Sequence, residues 1–396
     1  MTRELKFLKL NINGHPLITD NSELSMVADQ RVYQNNSDQL TNLFGRVWIN
    51  NLTTIVGRNA TGKTTMMKSV MGILSLLLEN ASINQTRLNG ILIGENPIQF
   101  EVYLYGTDKI VYLDRLVIEP ETENPRNWII TKEKIFRKKV NNQTSKKEIF
   151  DVNGFDIVID REMIAEDLSA VLAKDDSIFR MIIAKNNYKP QKVIDTLSFT
   201  NVNILIYDKP NVPTEILEYL DPTIEYLKID HTDAGNAIYK LKFKGSDKEV
   251  TDNNFATIEL YLSSGTAKGV TLYQYVLHAL ETGGIIFIDE LENHFNHAIV
   301  RTFIEYFTDP DINKNHATLV FSTHYSELLD DLERGDQIYI AIRKEKMTFT
   351  RFSDTDMRED ISRTEVFDAD NLKGTSPDYK SYMALRKATR RVINND

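Results

Sequence analysis

Gly57-Arg58-Asn59-Ala60-Thr61-Gly62-Lys63-Thr64-Thr65 satisfies the pattern G-x-x-x-x-G-K-[ST] in full. Before it, Leu52-Thr53-Thr54-Ile55-Val56 reads as a buried strand. After it, Met66, Met67, Val70, Ile73, Leu76 and Leu77 recur at helical spacing between Lys63 and Glu79. Strand, glycine loop and helix are what a phosphate cradle needs. The glycines let the backbone turn its N–H groups inward, and the helix N-terminus adds partial positive charge. In such a cradle Lys63 reaches the β- and γ-phosphates of a nucleotide and Thr64 holds Mg2+.

Two later runs supply matching chemistry. Gly283-Gly284 leads into Ile285-Ile286-Phe287-Ile288-Asp289-Glu290, four apolar residues followed by two acids. This predicts a buried parallel strand that delivers carboxylates at its C-terminal end, where ligands sit in α/β sheets. Asp289 then holds Mg2+ and Glu290 orients the attacking water. Ala317-Thr318-Leu319-Val320-Phe321 is another buried-strand run, ending in Ser322-Thr323-His324. A histidine there can donate a hydrogen bond to the γ-phosphate, or serve as an ordinary loop histidine. Between these runs, Leu262-Ser263-Ser264-Gly265-Thr266 opens a helix expected over Val270–Leu280. It reads as a second anion-binding helix start or as a serine N-cap.

The remaining chain sets the frame. Leu5–Ile12 alternates as a strand, and Gln99–Tyr105 and Lys109–Ile118 alternate as a hairpin around Gly106-Thr107-Asp108. Trp128–Phe150 is the most basic stretch, with Lys132, Lys134, Arg137, Lys138, Lys139, Lys146 and Lys147. It reads as a solvated hairpin, with a nucleic-acid or partner contact as the sharper alternative. No aromatic stacking pattern accompanies the lysines. A helix is expected over Arg161–Ala173 and a strand over Val202–Tyr207, and residues 126–235 are expected to form an inserted lobe. The tail from Lys373 to Asn395 reads as a turn and a basic helix.

With 396 residues, the chain suits two or three domains, or one core with a large insertion. A net charge of −10 gives no global attraction to nucleic acid or anionic lipid. The absence of cysteine excludes disulfides, thiol catalysis and cysteine zinc sites. Met1–Lys6 shows no apolar leader, and no apolar run approaches the roughly 18 residues of a membrane span, so a cytoplasmic location is expected. His294 and His297 beside Glu290 are read as surface histidines rather than a metal site.

In this order the elements resemble an ABC-type P-loop ATPase head. Gly57–Thr64 resembles its Walker A motif, Leu262–Thr266 its signature, Asp289-Glu290 its Walker B motif and catalytic glutamate, Asn293-His294-Phe295-Asn296 its D-loop, and His324 its switch histidine. The resemblance implies an α/β fold, a mixed parallel core sheet plus an antiparallel β layer with an inserted α+β lobe. It places the head in residues 1–125 and 236–396 and the lobe in 126–235. It implies ATP and Mg2+, with Gly57, Arg58, Asn59, Ala60, Thr61, Gly62, Lys63, Thr64 and Thr65 on the nucleotide and Thr64 and Asp289 on the metal. Catalysis would fall to Glu290, His324 and Lys63, while Ser263, Ser264 and Gly265 would act on the nucleotide of a second head. Gln99 is a candidate for the water-sensing glutamine, although a polar residue opening a strand is the better reading.

The serine- and threonine-bearing signature, the strand-rich insert and Leu372-Lys373-Gly374-Thr375-Ser376-Pro377 resemble the AAA/ABC-type ATPases of bacterial abortive-infection and other phage-defence systems, related to OLD and SMC-like ATPases. AbiL-type ATPases and the ATPase subunit of PARIS-type systems are the members intended. That resemblance implies a homodimer or higher oligomer through the heads, a separately encoded effector such as a nuclease, and a phage-derived trigger. Alternatives are a nucleotide-dependent scaffold with little turnover, a transporter subunit, or a DNA-repair ATPase. The last should carry long heptads, and none is visible. Too little chain follows His324 for a fused nuclease, although Asp354-x-Asp356 imitates part of an acidic cluster.

Overall fold

The computed structural model describes residues 3–164, 172–200, 202, 204–232, 236–293, 295–358, 361–375 and 379–394. Two sheets and a small lobe organise them. The core sheet has six strands in the order Val193–Asp195, Ile285–Ile288, Thr318–Thr323, Leu52–Val56, Ile338–Arg343 and Met347–Arg351. All pair in parallel except the last, which returns antiparallel. Every residue of Leu52–Val56, Ile285–Ile288 and Thr318–Thr323 is buried, as near-continuous apolar strands require when both faces are covered.

The period of two decides which core each side chain joins. Ile285 and Phe287 pack with the P-loop helix Lys63–Leu78, whereas Ile286 and Ile288 pack with the helices Ser264–Thr282 and His297–Thr308. The P-loop helix is buried nearly all round, because a second, seven-stranded sheet covers its other side. That sheet runs Tyr188–Lys189, Arg3–Asn13, Ile98–Gly106, Ile110–Pro120, Trp128–Lys139 and Asp156–Asp160, with Ser22–Ser25 paired to Arg3–Asn13. The structure is therefore a mixed α/β fold with parallel and antiparallel sheets.

Arg351 ties the two sheets together. Its guanidinium donates to the carbonyls of Val27 and Asp336, each at 2.7 Å, and Asp336 also takes both ends of Arg334. Buried backbone acceptors are satisfied, and the Ile338–Arg351 hairpin is held against the P-loop strand.

Residues 126–235 do not form one lobe, which corrects the expected boundaries. Trp128–Lys139 is a single strand paired along its length with Ile110–Pro120, so it belongs to the antiparallel layer. Its charged residues misled because they alternate with buried ones, among them Glu133, held by Arg161, Ser177 and the Ile178 N–H. Lys138 donates to the Glu148 and Asp151 carbonyls, Lys146 to those of Asp29 and Gln30, and Lys134 pairs with Asp160. The basic stretch is an internally tied strand, paired on its other side with Asp156–Asp160 and followed by the short helix Lys146–Phe150, not a hairpin. Val193–Asp195 joins the core sheet beside Ile285–Ile288.

What stands apart is smaller. Ile224–His231, Ala237–Phe243 and Glu249–Asp252 form a three-stranded sheet that packs with Thr214–Leu220, Phe255–Glu259 and the start of Ser264–Thr282. Leu205 and Tyr207 are buried in this lobe, but 204–207 is irregular rather than a strand: Thr271 Oγ accepts from the Ile206 N–H and donates to the Ile204 carbonyl. Arg161–Met163 is a short 3-10 turn, and 165–171 of the helix expected there lies outside the described residues. No helix among the described residues is long and apolar enough to cross a membrane.

Candidate functional site

The phosphate loop turns where its sequence allows. A side chain at Gly57 would meet the Ala341 carbonyl, and Gly62 has φ +100°, a left-handed conformation that glycine adopts without strain. Gly62 leads into Lys63–Leu78, and no side chain caps that helix, so its first N–H groups face the loop. Thr61 instead donates its hydroxyl to the Arg58 carbonyl. Arg58, Asn59 and Ala60 are exposed.

Lys63 is buried and crosses to the far wall of the cleft. Its Nζ donates to the Gly57 carbonyl at 2.8 Å and the Arg58 carbonyl at 3.1 Å, and lies 3.1 Å from His324 Nδ1. Burial lowers its pKa to about 8, with the Asp289, Glu290 and Glu292 carboxylates working in the opposite direction. An ammonium confined this way is set to take phosphate oxygens in exchange for its carbonyl partners.

The strand Ile285–Ile288 delivers both acids. Thr64 donates its hydroxyl to Asp289 Oδ2 at 2.7 Å, although the strand Thr318–Thr323 runs between their two strands. A hydroxyl and a carboxylate oxygen side by side form a hard-oxygen pair that fits Mg2+ completed by waters and phosphate oxygens. Glu290 sits at φ +50°, uncommon for a residue with a side chain. Its N–H donates to Ser322 Oγ at 2.8 Å, and that same hydroxyl donates to Asp289 Oδ1. The Glu290 carboxylate lies 3.2 Å from His324 Nε2, and the His324 N–H donates to Glu292. Lys63, His324 and Glu290 thus form one polar chain along the cleft, within a pocket of about 210 Å³ that also includes Arg343 and Met347.

The structure brings Asn59, Ala60, Thr61, Gly62, Lys63, Thr64, Thr65, Glu290 and His324 around this pocket. Asp289 reaches it through Thr64. Ser263, Ser264 and Gly265 do not line it. Ser263 is the N-cap of Ser264–Thr282: its Oγ accepts from the Thr266 N–H at 3.0 Å. Gln99 is exposed at a strand start in the antiparallel layer, paired with Asn13 and Val117. His297 packs its ring against Tyr325, and His294 lies outside the described residues.

Four contributors escaped the sequence reading. Ser322 lies within a run already quoted and Glu292 between two of them, and a small hydroxyl closing a buried strand beside paired acids was the available signal for Ser322. Arg343 and Met347 follow no motif.

Residues 52–330 match the family described as "AAA domain, putative AbiEii toxin, Type IV TA system". The match spans the P-loop strand, the acidic pair and His324. No curated protein matches the chain.

Proposed function

The chain belongs to this AAA-domain family, and from that premise we propose that it is a Mg2+-dependent ATP hydrolase acting as a switch. The observation that carries the reading is the 2.7 Å contact between Thr64 and Asp289, with Lys63, His324 and Glu290 joined along the same cleft. Lys63 and the loop N–H groups bind the phosphates, and Mg2+, when bound, would supply neutralisation of the phosphate charge. Thr64 and Asp289, paired in this structure, would hold that ion. Glu290 orients the attacking water and accepts its proton, while His324, beside the Glu290 carboxylate, contacts the γ-phosphate.

Glu290→Gln tests this directly. It should retain ATP binding and lower steady-state turnover by about a hundredfold or more, measured by phosphate release. A wild-type protein that binds ATP with no turnover would instead mark a nucleotide-held scaffold.

The finer reading is an abortive-infection or phage-defence ATPase, of the AbiL or PARIS kind, that oligomerises through its heads and controls a separately encoded effector. The signature residues support it, because they lie away from the chain's own phosphate pocket and would serve the pocket of another copy. Among the described residues the nucleotide site is the one constellation with evident catalytic chemistry, so a partner would have to supply the outcome of the switch. Co-purification with the product of the neighbouring gene checks this. A chain that protects cells alone and pulls down nothing overturns it.

A further inference from the structure

Arg343 and Met347 line the phosphate pocket and are given no role by the phosphate and metal motifs described above. They stand at the two ends of the turn that joins Ile338–Arg343 to Met347–Arg351. The strand Ile338–Arg343 pairs with one edge of the P-loop strand, and Thr318–Thr323 pairs with the other. Asp289, Glu290 and His324 therefore lie on one flank of the loop, and Arg343 and Met347 on the opposite flank.

This arrangement orients the ligand. Lys63 lies against His324 and Thr64 against Asp289, so the terminal phosphate faces that flank. The nucleoside of a linear triphosphate must leave by the other. There the Met347 side chain is packed where a side chain at Gly62 would go, which holds it firmly on the loop. Arg343 is exposed, and its guanidinium donates to the Ala60 carbonyl at 3.4 Å, which places its planar group over the cleft mouth. A flat, weakly hydrated cation and a polarisable thioether are surfaces on which an aromatic base stacks.

We infer that Arg343, backed by Met347, is the stacking platform for the nucleobase of the bound triphosphate. This rests on the nucleotide-binding reading above and assigns to the hairpin after His324 a specificity role that the phosphate motifs do not supply.

The test compares ATP with inorganic tripolyphosphate, which has the phosphates and no base, by titration calorimetry on the full chain. Arg343→Ala and Arg343→Lys should each weaken ATP binding by about tenfold and change tripolyphosphate binding by less than about twofold. Lysine keeps the charge and loses the plane, so it should not rescue. If Arg343→Ala weakens both ligands alike and Arg343→Lys restores both, Arg343 is a phosphate cation and the stacking role is overturned. If ATP binding is unchanged in Arg343→Ala but lost in Lys63→Ala, the stacking role fails and the phosphate site stands. If Lys63→Ala binds both ligands like wild type, the nucleotide reading fails and takes this assignment with it.

Discussion

Two helices in this protein begin at turns of glycine and hydroxyl residues, and they begin differently. Lys63–Leu78 starts from Gly62 at φ +100° with no side-chain cap. Ser264–Thr282 starts from Ser263 at φ −68°, and the serine hydroxyl takes the Thr266 N–H. The first helix leaves its leading N–H groups to whatever enters the loop, and Lys63 stands beside them. The second satisfies one of them from its own chain and has no place in the phosphate pocket. Similar composition therefore supports two outcomes: an uncapped helix start that lines the phosphate pocket, and a helix start capped by its own serine away from that pocket.

The largest effect expected on that contrast is at Lys63. Lys63→Ala should weaken ATP binding by about a hundredfold, since the loop loses its one lysine and a charge-assisted contact. The lysine also predicts a pH dependence. Its pKa near 8 in the free protein should rise when phosphates bind. Above pH 8 the free lysine is mostly neutral and the bound one charged, so binding takes up a proton and affinity falls as pH rises. Calorimetry at pH 9 in two buffers of different ionisation heat should show that uptake in wild type and lose it in Lys63→Ala. Equal affinity in the two proteins would break the contrast at its stronger end.

A smaller effect is expected at the second helix. Aspartate near a helix N-terminus is well tolerated by the helix itself, but it repels an approaching phosphate. Gly265→Asp should therefore keep ATP binding and lower turnover by about tenfold or more. Mixing it with Lys63→Ala subunits should restore part of the activity, because one composite site per pair stays intact. No rescue at any ratio would mean that each head works alone or that both sites must fire together.

The smallest effect isolates the cap. Ser263→Ala should cost about 1 kcal/mol of stability, read from a denaturant midpoint, with ATP affinity unchanged. A matching loss of ATP affinity in the isolated subunit would show the two helix starts to be less separate than their geometry indicates.

The legible parts of the site are those whose chemistry is contiguous. Gly57–Thr65 carries its own turn conformations, and Ile285–Glu290 carries its own burial pattern and its own acids. Ser322 was visible as a residue but not as the hydroxyl that joins the Asp289 carboxylate to the Glu290 N–H, because that role exists only once two strands are adjacent. The inserted lobe was drawn too wide for a related reason. Trp128–Lys139 looked separate because of its lysines, and nothing local revealed that Glu133 is buried against Arg161 or that the strand pairs along the whole of Ile110–Pro120.

By itself the sequence determined the backbone shape of the phosphate loop, the helix that follows it and the acidic end of the neighbouring apolar strand. Those depend on dihedral preferences and hydrophobic periods that act within a few residues. Only the tertiary structure decided that Val193–Asp195 enters the core sheet, that Ser263 caps its own helix away from the cleft, and that Arg343 and Met347 close the cleft on the flank opposite His324. Each depends on which strand lies beside which, a choice made by burial summed over the whole sheet and invisible in any short segment.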